Sequence, residues 1–534
     1  THTQQTTTHH TPPRTPTEHT LTTIWTNILT TNHIGIHDNF FDLGGDSILS
    51  IQIVSHARRA GLQLTSKLMF THQTIAELAP MVRQAEPATD DSDATGPVAG
   101  GVDLTPIQRW FFDGHTTAPD RYAMSVHVVL APDTDPGVLA RALTATVDHH
   151  DALRMRYADD GAGNWTQEYG DRPGGMLSVR DIPADGTQAA LHDAADEAQR
   201  ALDLRGGALV KGVFLRMPGA DTPPRLFLAV HHLVMDAVSW RIVLEDLATA
   251  YAQLTAGHPV DLGTRTSSYQ QWARRLTDHV RSGALDHETG YWRKASAGAV
   301  DLPSDGPARS TYGDVAVESV VLDRATTDAL LHRAPASFRT RINDVLLAAL
   351  GRVLNQWAGG PVAVALEGHG REELFDDVDL SRTVGWFTTI YPVTLKVPEG
   401  PWGEALKAVK KTLRKVPGRG IGYGALRYLR EPDHPDRAAL AAAPRPGISF
   451  NYLGQWDDAD GGGGLVRDRL DGLGADQAPG EARPHLIDVV AAVSDGRLRI
   501  EWMHAPSAHS PSTVRRLADD FATALRQIAA AAGN

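Results

Sequence analysis

Four short stretches of this 534-residue sequence hold side chains that can do chemistry. The first is FFDLGGDSILS at 40–50, where Ser47 follows two glycines and an aspartate at the predicted start of a helix. The glycines let the backbone turn tightly and keep the serine exposed. Asp46 or Ser47 can cap the helix amides, and a helix N-terminus attracts an incoming phosphate diester. The same string also suits a plain capped surface helix. The second stretch is HHLVMDAVSW at 231–240, entered from the apolar run RLFLAV at 225–230. A neutral imidazole titrates near working pH, so a histidine at a strand end is well placed as a general base. Neighbouring strand residues point to opposite faces. One of His231 and His232 can therefore face a channel, while the other is a hydrogen-bonded core histidine. Metal binding through His232 and Asp236 is a further reading, but no convincing third ligand accompanies them and no HExxH-like pattern is present.

The third stretch is GPVAVALEGHGRE at 360–372. Val362, Val364 and Leu366 share one strand face, and Ala363, Ala365 and Glu367 share the other. Glu367 thus ends a face of small residues along which a substrate arm can approach. The ordinary alternative is a glutamate salt-bridged to Arg371. The fourth is ISFNYLGQW at 448–456, with Ile448, Phe450 and Tyr452 on one face and Ser449 and Asn451 on the other. A regular strand presents only one of Asn451 and Tyr452 to a site, a restriction that a bulge would lift. Tyrosine at such a position is by default a core residue.

These residues need elements to hold them. Leu21, Ile24, Trp25 and Ile28 recur at helical spacing and predict a helix over 20–30. A second helix starts at Ser47, with Ile48, Ile51, Val54 and Ser55 on one face, and a third runs through QTIAELAPMV at 73–82. Together they read as a small helical bundle spanning 18 to about 85. Residues 1–17 are polar, Pro-containing and aperiodic, and EPATDDSDATGPVAGG at 86–101 has no aromatic residue. Both read as linkers. From 102 onward, strands are predicted at 122–131, 225–230, 360–367 and 447–453, and helices at 137–150, 240–254, 342–357 and 513–531. The alternation predicts one large α/β region of two lobes that divide between 270 and 300.

Composition narrows the function classes. With 42% hydrophobic and 22% charged residues the chain is an ordinary globular protein with material for real cores. A net charge of −13 argues against a nucleic-acid partner, which needs a basic stripe. No apolar run of about eighteen residues predicts a membrane span, and the Thr- and His-rich start is no secretory signal. A cytoplasmic location is the expectation. Cysteine is absent, which removes disulfides, thiolate nucleophiles and the paired-cysteine route to inverting an α-carbon.

NFFDLGGDSILSIQIVSHAR resembles the core of a peptidyl carrier protein of nonribosomal peptide synthetases, over about residues 18–85. The resemblance implies that Ser47 carries a covalent 4′-phosphopantetheine arm, added by a separate phosphopantetheinyl transferase. Asp46 stands where many carriers have histidine, which is similar to carriers that feed an epimerisation domain. The His motif is joined by LTPIQRWFF (104–112), INDVLLAALG (342–351), EGHGRE (367–372), RTVGWFTTIYP (382–392), PGRGIGYG (417–424) and FNYLGQ (450–455). In this order they resemble an epimerisation domain of the same synthetases across 102–534.

That likeness implies a fold and a reaction. The fold is a small all-α four-helix carrier bundle, then a large α/β domain of two chloramphenicol-acetyltransferase-like lobes with a channel between them. The N-lobe is expected over about 102–280 and the C-lobe over about 281–534. The reaction is removal of the α-proton of an aminoacyl or peptidyl thioester and its return to the opposite face. By the resemblance His232 is the catalytic histidine and Glu367 its partner across the channel. Tyr452 and Asn451 are secondary candidates, and Asp236 orients and anchors the His loop. No metal and no pyridoxal phosphate are implied. The expected partners are an upstream adenylation domain and a downstream condensation domain, with the didomain itself monomeric. Two rivals remain: an amide-forming condensation catalyst, which shares HHxxxD, and a non-catalytic module that only docks a carrier.

Overall fold

The computed structural model describes residues 11–29, 31, 33–84, 98–185, 187–219, 221–307, 310–455 and 464–533. The expected linker over 86–101 lies outside the described residues as far as 97, and so do residues 1–10 of the first linker.

The carrier is built from helices α1 (Pro16–Leu29), α2 (Ser47–Arg59), α3 (Ser66–Thr71) and α4 (Ile75–Leu78). Helix α1 starts at Pro16 rather than at 20, and its cause is readable in TPTE at 15–18. Thr15 Oγ1 accepts the Glu18 N–H at 3.2 Å, while Glu18 Oε2 accepts the N–H groups of Arg14 and Thr15 at 2.6 and 3.1 Å. This reciprocal box satisfies amides that the first turn leaves open, and Pro16 sits where no N–H is needed. The predicted helix over 73–82 is instead the short α4 followed by a 3₁₀ turn at Ala79–Met81. Pro80 has no N–H to continue the α-helical ladder. Leu21, Trp25, Phe40, Ile53, Leu64, Met69, Ile75 and Leu78 close the bundle core.

The large domain holds two principal sheets. Its first half supplies β1 (Ala123–Leu130), β2 (Leu177–Asp181), β3 (Val210–Arg216) and β4 (Arg225–His231). Its second half supplies β5 (Ala316–Val321), β6 (Val362–Gly368), β7 (Thr389–Leu395), β8 (Ile448–Gln455), β9 (Val466–Leu470), β10 (Ile487–Ser494) and β11 (Arg497–His504). The six-stranded sheet runs β5-β11-β10-β8-β6-β7, with β6, β8 and β10 mutually parallel. The five-stranded sheet runs β9-β1-β4-β3-β2. Strand β9 therefore crosses from the second half of the chain to pair antiparallel with β1. Val362, Val364 and Leu366 are buried as their alternation predicts, which turns Glu367 to the opposite face of β6.

Each sheet backs onto its own core. Trp240, Trp272, Phe214 and Leu228 centre the first, which also takes in Trp386, Phe387, Ile421 and Leu426 from the second half of the chain. Leu350, Val364, Phe450, Trp502 and Phe521 centre the second. The helix after the His motif, α5 (Ala237–Thr255), is capped by Asp236, whose Oδ1 accepts the Ser239 N–H at 2.7 Å.

Arg371 reaches Asp236 from beyond β6. Its Nη2 donates to Asp236 Oδ1 and Oδ2 at 3.1 and 3.3 Å and to Ser239 Oγ at 2.8 Å. Its Nη1 donates to the carbonyls of Leu380 and Thr383 at 2.9 and 2.6 Å. The guanidinium lies over the Phe387 ring at 4.1 Å, and both partners of the ion pair are buried. Removing one member of a buried pair leaves the other charge without compensation, at a cost of about 3–5 kcal/mol. Arg371→Leu is therefore expected to lower the unfolding free energy of the large domain by about that much. Urea unfolding followed by tryptophan fluorescence measures it, and a loss below about 1 kcal/mol would remove the pair from its structural role.

Candidate active site

His231 and His232 part company at the end of β4. His231 is fully buried; its Nε2–H donates to the Pro119 carbonyl at 2.8 Å and its Nδ1 accepts the Leu233 N–H at 3.2 Å. Both nitrogens are spent, so His231 is the core histidine. His232 begins a 3₁₀ turn, and its backbone N–H donates to the Tyr122 carbonyl at 2.8 Å. Its Nδ1 lies 2.8 Å from the Met235 carbonyl, which can only accept. Nδ1 therefore carries the proton and Nε2 is the basic nitrogen. The ring is held between Tyr122 and Trp386, at centroid distances of 5.3 and 4.3 Å. Burial disfavours the imidazolium and lowers its pKa to about 4.

Glu367 takes the opposite shift. Asn451 Nδ2 donates to its Oε2 at 2.6 Å. Solvent reaches the carboxylate through a cavity, yet protein surrounds it on the other sides, and the second fact governs its proton affinity. Desolvation first, and the Asp488 carboxylate second, push it up to about 7. The sequence-based alternative of a Glu367–Arg371 bridge does not form, because Arg371 is committed to Asp236. Gly370 makes that possible: at φ +66°, with any Cβ only 1.7 Å from the Phe387 carbonyl oxygen, it turns the chain down beneath the His loop.

The carrier serine and the acid share a cavity. A space of about 1020 Å³ is lined by Ser47 and Ile48 of the carrier and by Asp236, Glu367, Thr388, Asn451 and Tyr452 of the large domain. His232 is not among the lining residues. It connects to the acid through Tyr122, whose ring stacks on the imidazole and whose buried phenol feels the Glu367 charge. Phe450, Asn451, Tyr452 and Leu453 all line the cavity, which therefore borders both faces of β8. Asn451 and Tyr452 keep regular register with β10; the shift follows them, between Tyr452 and Gln455, where Gly454 adopts φ +82°. Asp236 also borders the cavity, but its oxygens accept from Arg371, Ser239 and the Phe387 N–H, at 3.1 Å for the last, so it anchors the His loop and has no place as a metal ligand. Among the described residues, His149, His150 and Asp246 also bring three possible ligand atoms together. Asp246 is already paired there with His150 at 2.8 Å and Arg382 at 2.5 Å.

Helix α2 presents Ser47 to the cavity. Asp46 Oδ1 accepts the N–H groups of Ile48 and Leu49, both at 2.8 Å, so Asp46 is the cap and the serine side chain is not. Arg339, Arg341, Lys410, Arg414 and Arg419 line the same space. Asp42, Asp344 and Glu372 line it as well, so the space is of mixed charge, and a phosphodiester on Ser47 would be held by the cations among these side chains.

Contacts that no sequence motif announced seat the carrier. Gln455 Nε2 donates to the Gly44 carbonyl at 2.9 Å, and Arg241 donates to Gln52 Oε1 at 3.2 Å and to the Gln455 carbonyl at 3.0 Å. Glu373 accepts the N–H groups of Ser66 and Lys67 at 2.6 and 3.1 Å. Arg58 pairs with Asp379, and Arg59 pairs with Glu245 and Asp246. Gly454 lies so close that a Cβ would stand 2.9 Å from Asp46 Oδ2. Gly454 and Gln455 stand in the FNYLGQ string, so a signal for this contact was present without its partner being visible.

Fold and site define a phosphopantetheine carrier followed by a condensation-type domain. The family model described as "Condensation domain" matches residues 98–533, and that described as "Phosphopantetheine attachment site" matches 19–82. The chain belongs to the condensation-domain family, joined to a carrier as in nonribosomal peptide synthetases. It is 43% identical to a linear gramicidin synthase protein of Brevibacillus parabrevis, over 97% of this chain and 7% of that protein. It is 40% identical to chondramide synthase cmdD of Chondromyces crocatus, over 97% of this chain and 13% of that protein. The chain thus spans a small part of the length of these relatives. The solved epimerization domain from the third module of tyrocidine synthetase B superposes with a TM-score of 0.76 at 33% identity, covering 82% of this chain and 98% of that one. Among the described residues no helix is long and apolar enough to cross a membrane.

Ser47→Ala is expected to abolish the mass increase seen when the chain is incubated with coenzyme A and a phosphopantetheinyl transferase, with an unchanged circular dichroism spectrum. A mutant that still gains the mass would move the attachment site elsewhere.

Proposed function

We propose that this didomain carries an aminoacyl or peptidyl thioester on Ser47 and inverts its α-carbon from L to D, with His232 and Glu367 exchanging protons with opposite faces. The observation that carries the reading is the cavity that Ser47 shares with Glu367, whose carboxyl Asn451 holds and whose charge reaches Tyr122 stacked on the His232 ring; burial drives the two groups apart, the imidazole down to about 4 and the carboxyl up to about 7. Two titratable groups driven apart in this way form one base and one acid at the same pH. The arm supplies a thioester, which makes the α-hydrogen more acidic than an amide would and keeps the substrate local.

The residues then divide the work. His232 Nε2 removes the proton on one face, with Nδ1–H fixed on Met235 so that the tautomer cannot flip. Glu367 returns a proton on the other face, and Asn451 steadies the carboxyl that does so. Tyr452 borders the path between Ser47 and Glu367. Asp236 acts through the loop rather than on substrate. In this reading an upstream adenylation domain selects the amino acid, a phosphopantetheinyl transferase modifies Ser47, and a downstream condensation domain receives the product.

The likeness to a solved epimerization domain at 33% identity supports inversion over amide formation. So does the Glu367 carboxyl in the cavity shared with Ser47, a proton donor that inversion needs and amide formation does not. A module that only docks a carrier has no use for a desolvated glutamate in its channel.

His232→Ala and Glu367→Ala should each slow inversion of the Ser47-bound residue at least about 100-fold, the lower end of what general acid–base groups contribute. Chiral analysis of the released thioester measures this. Full activity in either mutant would strip that residue of its role. A loaded chain that stays inert until an amine acceptor is added would favour condensation instead.

The pH dependence follows from the same pair. Below about 4 His232 is protonated and cannot accept, and above about 7 Glu367 is ionised and cannot donate. Both directions of inversion start from a state with one proton shared by the pair, so both should show a bell between those limits. Rates of α-hydrogen exchange into deuterated buffer across pH 4 to 9 test it, and a rate still rising well above pH 7 would contradict the assignment.

A further inference from the structure

A second pocket adjoins the reacting groups, and we infer that it receives the side chain of the tethered residue and selects a branched aliphatic one. The inference rests on the epimerase reading above.

Position is the first ground. Ala365 lies two residues before Glu367 on the same face of β6, about 7 Å along the strand, and lines this pocket. Ile390, the register partner of Glu367 on β7, lines it too. Trp386, packed on the His232 ring, forms another wall. Thr388 and Tyr391 border both this pocket and the cavity onto which Ser47 opens. A thioester drawn in from Ser47 therefore meets Glu367 and Trp386 at the point where the second pocket begins.

Chemistry is the second ground. Besides Trp386 and Ile390 the walls include Trp110, Leu276 and Ile421. No aspartate or glutamate is among the lining residues, and the basic groups are Arg427, Arg445 and His485. Arg427 is buried and donates to the Leu440 carbonyl at 2.5 Å. An ammonium, whether the substrate's own α-amine or a lysine side chain, would lose its hydration here and find no carboxylate, only cations, apolar walls and the neutral hydroxyls of residues such as Thr388 and Thr389. An apolar side chain loses nothing and gains burial. A carboxylate side chain would lose its hydration against the same apolar walls, for Arg427 is committed to the Leu440 and Ala441 carbonyls and His485 Nδ1 to the Pro446 carbonyl, which leaves Arg445 as the cation it could meet.

Size is the third ground. The pocket encloses about 60 Å³. An apolar cavity of about 150 Å³ accommodates benzene. A leucine- or valine-type group suits the smaller space, and an indole does not.

The test loads the full-length chain at Ser47 from synthetic alanyl-, leucyl-, aspartyl- and tryptophanyl-coenzyme A, using a phosphopantetheinyl transferase, and follows inversion by chiral analysis. Leucyl substrate is expected to invert at least about tenfold faster than aspartyl or tryptophanyl, within the range that a fitted apolar pocket discriminates. Ile421→Phe, which fills the pocket, should lower the leucyl-to-alanyl rate ratio at least about tenfold. Ile421→Ala, which enlarges it, should raise the tryptophanyl-to-leucyl ratio. Equal wild-type rates for leucyl, aspartyl and tryptophanyl substrates, or ratios unmoved in both variants, would overturn the pocket while leaving the epimerase reading intact. No inversion of any substrate would overturn both.

Discussion

The buried ion pair between Asp236 and Arg371 is the constraint on which the site depends. Asp236 terminates the His loop and caps α5, while Arg371 follows the end of β6, on the segment by which the chain leaves Glu367. One guanidinium thus ties the element that carries His232 to the element that carries Glu367. It also gathers the carbonyls of Leu380 and Thr383, which fixes the run leading to Trp386 and so the wall against which the imidazole rests. A pair this enclosed contributes little net stability compared with apolar packing of equal volume. Its value lies in geometry, since several donor contacts from one planar group leave few alternative arrangements.

The electrostatics of the channel follow from that enclosure. The His232 and Glu367 shifts have the same leading cause, loss of water, and differ in sign only because one group is charged when protonated and the other when not. The fold needs no special partner to tune either group. It needs only to surround each group with enough protein to strip part of its water, while leaving the cavity that joins Glu367 to Ser47. The aromatic stack of Tyr122, the imidazole and Trp386 does this on one side, and the parallel core strands β6 and β8 do it on the other.

Local chemistry was legible in the sequence and long-range partnership was not. Alternation along VAVALE placed the face of Glu367, and RLFLAV ending in two histidines separated a core imidazole, His231, from its differently directed neighbour His232. The capping box at Thr15 and Glu18 is local as well, but the prolines around it make the stretch read as linker. What no pattern could supply was the destination of Arg371, which lies 135 residues from its carboxylate partner, or the joint appearance of Asn451 and Tyr452 in one cavity. The first depends on a glycine whose close contact is with a distant carbonyl, and the second on a cavity that reaches both faces of β8, which single-sequence alternation does not encode. The second pocket was equally invisible, since its walls come from helices and strands scattered from Thr105 to His485.

Strand β9 has a bearing on how the molecule can be taken apart. It belongs to the second half of the chain by sequence but closes the edge of the first sheet, pairing with β1 from Val466 to Leu470. A fragment stopping near residue 280 would lack that strand and present the backbone of β1 as an open edge, a template for pairing with other chains. It would also lose Trp386, Phe387, Ile421 and Leu426 from its core. The two halves of the chain are thus interlaced, and a cut near residue 280 would separate strands that share one sheet and residues that share one core.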